Sequence, residues 1–134
     1  MIIIIRANLI QGYFCIEMET VLIIEPDRFF KENLVELLEL EGFRVKSAGN
    51  VADARTELNE CKPSIIICDE NLLTREFGTL KDDLKKAHEI SHVIIIIIDG
   101  LNEKFEEADA YIKMPFRDDE LLLKLGALTI KKRA

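Results

Sequence analysis

The chain has 134 residues, 49% apolar and 32% charged, the size and composition of one domain with a working core. A formal charge of −7 and a pI near 4.9 repel a phosphate backbone and exclude direct nucleic-acid binding without a local basic patch. The only tight basic run, Lys131, Lys132 and Arg133, reads as a solvated helix end. Cys15, Cys61 and Cys68 are odd in number and lack both a C-x-x-C pair and histidines spaced for zinc, so they read as reduced thiols of a cytoplasmic protein.

Residues 1–20 are apolar but broken by Arg6, Asn8, Gln11 and Gly12. The stretch is shorter than the roughly 20 residues of a membrane helix and lacks a basic start or a small-residue cleavage site. It reads as an N-terminal extension, either an arm or residues upstream of a natural start at Met18, with the domain proper over 21–134. No membrane association is expected.

From Val21 onward, strand-length apolar runs alternate with stretches of helical period, the pattern of a parallel sheet covered by helices. VLII (21–24) is followed by a helical stripe of Phe30, Leu34, Leu37 and Leu38, with Asp27 at the N-cap position and Gly42 at the C-terminal stop. FRVKSA (43–48) leads through an Asn50 cap to Val51, Ala54, Leu58 and Cys61. SIIIC (64–68) precedes a stripe of Phe77, Leu80, Leu84 and Ala87, and VIIIII (93–98) precedes AYIK (110–113). The third and fourth strands do not alternate, as expected of strands buried on both faces. Residues 117–131 read as a last helix with Leu121, Leu125 and Leu128 on its core face. The sum is an α/β domain of (βα)5 type, with right-handed crossovers placing helices on both faces.

In such a sheet the site lies at the carboxyl ends of the strands. Those ends carry Glu25, Pro26 and Asp27, then Asp69, Glu70 and Asn71, then Ile98 and Asp99, then Lys113, Met114 and Pro115. Carboxylates gathered at one edge repel unless a hard cation sits among them, and oxygen ligands of this kind suit Mg²⁺. A carboxylate beside Mg²⁺ can act as a nucleophile toward a phosphoryl group.

The blocks VLIIEPDRFFKENLVELLELEGFRV, PSIIICDENLL and AYIKMPFRDDELL, in that order and spacing, resemble the receiver domain of two-component response regulators across residues 21–131. The resemblance implies a doubly wound, flavodoxin-like three-layer sandwich with strand order 2-1-3-4-5. It implies that Asp69 is the phosphoacceptor, that Glu25 and Asp69 are Mg²⁺ ligands, and that Asn71 contributes its backbone carbonyl. It further implies a histidine kinase or phosphotransfer protein as donor, a downstream protein partner, and a cis bond at Pro115.

The chain departs from the family pattern at three places. Pro26 replaces a second acid, Ile97 or Ile98 replaces a Ser or Thr at the end of the fourth strand, and Met114 replaces the Lys before the proline. Asp27 is a candidate replacement ligand, although the N-cap role fits it better. Lys113 is one residue out of place and is expected to face solvent. The segment 99–110 is short for a loop plus helix, so the fourth helix is expected to be abbreviated, around Leu101, Phe105 and Ala108.

Two functions follow: a receiver phosphorylated on Asp69, or a degenerate receiver that binds partners independently of phosphate. A small phosphotransferase or nucleotide-binding enzyme is disfavoured, because EPDRFF follows the first strand where a glycine-rich phosphate loop would be needed. A signalling domain is therefore expected, rather than a dedicated enzyme.

Overall fold

The structure, a computed structural model, describes residues 19–73, 79–99 and 105–133. The N-terminal segment through Met18, together with Cys15, Phe77 and Leu101, lies outside those residues. In chain order the elements are β1 (Thr20–Ile24), α1 (Arg28–Leu40), β2 (Arg44–Ala48), α2 (Val51–Cys61), β3 (Ile65–Asp69) and a single turn, α3 (Glu70–Leu73). Then come α4 (Thr79–Ser91), β4 (Ile94–Ile98), β5 (Ala110–Ile112) and α5 (Asp118–Arg133). All four strand pairings are parallel, in the order β2-β1-β3-β4-β5.

Each strand sends alternate residues to opposite faces, and the two cores follow from that period. Val21, Ile23, Ile65, Ile67, Ile96 and Ile98 pack with Leu34 and Leu38 of α1 and Leu121 and Leu125 of α5. Leu22, Ile24, Ile66, Cys68, Ile95 and Ile97 pack with Val51 and Ala54 of α2 and Leu80 and Leu84 of α4. Helices therefore cover both faces, and β3 as far as Cys68 and all of β4 are apolar because neither side of them meets water. Each isoleucine sealed in this way contributes ~1.5–3 kcal/mol of transfer free energy.

The caps lie where the sequence places them. The Asp27 carboxylate accepts from the Phe30 amide at 3.0 Å, and the Asn50 side chain accepts from the Asp53 amide at 2.8 Å. Gly42 closes α1 at φ 98°, a conformation that disfavours any side chain. The bond between Met114 and Pro115 is cis.

Several strand ends differ from expectation by one residue, β5 stopping at Ile112 before Lys113, and two differences bear on the site. The third strand runs on to include Asp69, because its ladder with β4 continues as far as the Asp69 to Ile98 pairing. Between β4 and β5, the described residues from Phe105 to Asp109 form turns where a brief helix was expected. Phe105 is buried in the second core, and Asp109 pairs with Ile95 in both directions. Its amide donates to the Ile95 carbonyl at 2.7 Å and its carboxylate accepts the Ile95 amide at 2.8 Å.

The sheet ends in two unlike edges. β2 alternates exposed Arg44 and Lys46 with half-buried Val45 and Ser47, while β5 is only three residues long. No helix among the described residues is long and apolar enough to cross a membrane.

Candidate functional site

β1 and β3 are adjacent, so the residues that follow or close them meet at the carboxyl edge. Glu25 continues the β1 ladder by donating its amide to the Ala48 carbonyl at 2.9 Å, which fixes its backbone. Its side chain is 2% exposed. Oε2 accepts the Asp27 amide at 3.0 Å, and Oε1 is buried without a hydrogen-bond partner. Burial raises the Glu25 carboxyl from 4.5 to about 7, opposed by the Asp27 amide bond and reinforced by the negative charge of Asp69.

Asp69 is half-buried, and its Oδ1 accepts the Asn71 amide at 2.7 Å, a local turn bond that orients the carboxylate as α3 begins. Directly before it, Cys68 is fully buried and its thiol donates to the Asp69 carbonyl at 3.3 Å. Burial pushes that thiol well above its usual range, so it is an inert small hydrophobe.

The structure brings Glu25, Asp69 and Asn71 together and sets Asp27 apart. Asp27 is exposed and its carboxylate accepts the Phe30 amide at the start of α1, the N-cap role expected of it. Among the described residues no group of three or more His, Cys, Asp or Glu forms a metal cluster. The side chains that meet at this edge are thus two carboxylates, Glu25 and Asp69. That suits Mg²⁺, which keeps several waters and needs one or two carboxylates. The unpartnered Oε1 of Glu25 beside a second carboxylate is the observation that makes the pair fit a hard cation.

Sheet register decides between Ile97 and Ile98. Ile98 is the partner of Asp69 on β4 and shares its face, whereas Ile97 pairs with Cys68 and faces the other core. A buried isoleucine, 1% exposed, therefore stands beside Asp69, where the resemblance led one to expect a hydroxyl. Lys113 follows β5 and is exposed, as expected, and Met114 is 42% exposed.

Sequence reasoning gave no role to two other groups near this edge. Asp99 adopts φ 66°, donates its amide to the Ile112 carbonyl at 2.8 Å and accepts the Met114 amide at 3.3 Å through Oδ1. Lys31, on α1, places its Nζ 3.2 Å from where a Gly49 side chain would begin, a point 3.7 Å from the Glu25 carbonyl. Asp99 was visible as a strand-end acid, but its backbone conformation was not. A lysine on a solvated helix carried no signal.

The sheet order and the two helical layers are those of the flavodoxin-like fold shared by CheY-like receiver structures. The response regulator receiver domain protein (CheY-like) from Methanospirillum hungatei JF-1 matches with a TM-score of 0.74 at 21% identity, over 87% of this chain and 98% of that one. The receiver domain protein from Clostridium thermocellum matches with a TM-score of 0.71 at 21% identity, over 87% and 98% of the two chains. The BeF3-activated DrrB receiver domain gives 0.65 at 20%, over 81% and 95%.

In sequence, the transcriptional regulatory protein CpxR homolog of Haemophilus influenzae is 28% identical over 118 residues, 83% of this chain and 50% of its own. The transcriptional regulatory protein GltR of Pseudomonas aeruginosa is 27% identical over 116 residues, 81% of this chain and 48% of its own. The chain spans about half the length of these curated relatives. No protein-family model matches it.

Proposed function

We propose that this chain is a cytoplasmic phosphoacceptor that receives a phosphoryl group on Asp69 from a histidine kinase or phosphotransfer protein and signals to a downstream protein. The observation that carries the reading is the buried Glu25 carboxyl, with one oxygen unpartnered, set against Asp69 at the carboxyl edge of a receiver sheet. An Asp69 oxygen attacks phosphorus, an acyl phosphate forms, and the P–N bond of the donor phosphohistidine breaks with its electron pair going to the imidazole, which then takes up a proton. Glu25, Asp69 and the Asn71 carbonyl would hold Mg²⁺, and Asp27 would not. Bound Mg²⁺ supplies charge neutralisation at the phosphoryl oxygens. The chain's own residues hold the nucleophile in place: Asn71 orients the carboxylate, and Ile98 and the β3 isoleucines exclude water from beneath it.

A second reading, an interaction module indifferent to phosphate, is favoured by Ile98 in the hydroxyl position and by Met114 before the proline. The deciding experiment is reaction with acetyl phosphate, with and without Mg²⁺, read by intact mass on wild type and Asp69→Asn. The proposal expects one Mg²⁺-dependent adduct that is absent in the variant. A folded wild type that forms none supports the second reading.

A further inference from the structure

The connection between β4 and β5 is fastened by side chains at both ends. At its start, Asp99 ties the end of β4 to Ile112 through its amide and to Met114 through its carboxylate. Further along, the Tyr111 hydroxyl accepts the Phe105 amide and donates to the Phe105 carbonyl at 2.9 Å, so one phenol satisfies both backbone groups of one residue. Phe105 is itself 3% exposed in the core beneath α4, which anchors the other half of this clasp. Tyr111 stands opposite Ile97 in the β4–β5 ladder, on the face away from Asp69. On the near face Ile98 offers no polar atom to a group on Asp69, and Lys113 is turned outward.

We propose that this clasp holds the β4–β5 rim in one conformation whatever the state of Asp69, so that chemistry at Asp69 is registered on the β1–α1 and β3–α3 side of the site alone. The inference rests on the acceptor reading of Asp69 for its biological sense. Its physical content is the independence of two halves of one edge. Residues able to couple them would need a polar side chain reaching from the rim to Asp69. The two positions that the resemblance to receivers assigns to that task carry Ile98 and Met114. The rim instead spends its polar groups on itself, with Asp99 on Met114 and Tyr111 on Phe105.

The test uses amide NMR and hydrogen exchange on the full chain in Mg²⁺, with and without beryllofluoride, for wild type, Asp69→Asn and Tyr111→Phe. In the wild type, both the adduct and the Asp69→Asn substitution are expected to shift the amides of Glu25–Phe30 and Asp69–Leu73 and to leave Asp99, Phe105 and Ala110–Met114 in place. Tyr111→Phe is expected to speed exchange of the Phe105 amide about tenfold, the loss of one partly buried hydrogen bond, and to shift the rim amides themselves. Rim shifts in the wild type as large as those in Tyr111→Phe would overturn the proposal, as would unchanged Phe105 exchange. If no adduct forms, the acceptor reading fails by itself, and the Asp69→Asn spectrum with the exchange data still decides the clasp.

Discussion

Glu25 and Asp69 face each other at the ends of adjacent strands, and the two acids are not equivalent. Asp69 is half-buried and hydrogen-bonded to Asn71, while Glu25 is sealed at 2% exposure with one oxygen unpartnered. Burial raises the Glu25 carboxyl to about 7, reinforced by the proximity of Asp69.

That asymmetry makes stability depend on pH. Because the folded value of Glu25 lies above the unfolded one, its proton stabilises the fold fully below about pH 4.5, and the contribution is lost as pH rises to about 7. Glu25→Gln keeps an acceptor for the Asp27 amide and removes the titration. In Mg²⁺-free urea melts the variant should gain on the wild type by about 3 kcal/mol between pH 4.5 and pH 8. An equal difference at both pH values would show that Glu25 does not titrate in this window. Added Mg²⁺ should reverse the ranking at pH 8 by stabilising the wild type alone.

Asp27 separates a cap from a ligand. Asp27→Ala should cost about 1 kcal/mol through loss of the bond to the Phe30 amide. Asp27→Ser should restore most of it, and neither should weaken Mg²⁺ binding by more than about twofold, the residual effect of one exposed charge. A tenfold loss of Mg²⁺ affinity in Asp27→Ser, followed by titration calorimetry, would place this carboxylate among the ligands.

Register makes Ile98 and Ile97 a matched pair of substitutions. Ile98→Thr puts a hydroxyl beside Asp69 and should tighten beryllofluoride binding several-fold, at a stability cost of about 1–2 kcal/mol for the buried polar group. Ile97→Thr should carry a similar cost with no gain in binding, since it faces the other core. Tighter binding by Ile97→Thr alone would mean that the ladder is shifted by one residue.

Leu84 lies at 0% exposure where α4 meets the sheet. Leu84→Ala should cost 2–5 kcal/mol, about the range for a fully enclosed leucine. A loss below 1 kcal/mol on denaturant melting would show that α4 packs loosely.

The strands and helix stripes were legible because a (βα)5 chain announces itself through period: SIIIC and VIIIII can only be strands sealed on both faces, and Leu34 and Leu38 only one side of a helix. Asp27 and Asn50 were legible as caps because the bond they make is local. The site was half legible. Asp69 and Glu25 stood out as acids closing apolar runs, but choosing Ile98 over Ile97 required the register between β3 and β4, a pairing of distant segments. The Tyr111 link to Phe105 and the Asp99 link to Met114 depend on loop conformation, which no periodicity encodes.

Five isoleucines in succession form β4, a stretch that in an opened chain would template growth of sheet on sheet. Within the fold its neighbours are matched on one side along its whole length, but β5 covers only Ile96 to Ile98 on the other. Asp109 seals part of what remains, taking the Ile95 amide on its carboxylate and returning its own amide to the Ile95 carbonyl. The Asp109 side chain thus caps β4 at Ile95, where the β5 ladder stops. Lifting it would open the Ile95 amide and carbonyl to pairing with a second chain, so Asp109→Ala is expected to precipitate faster on heating than the wild type.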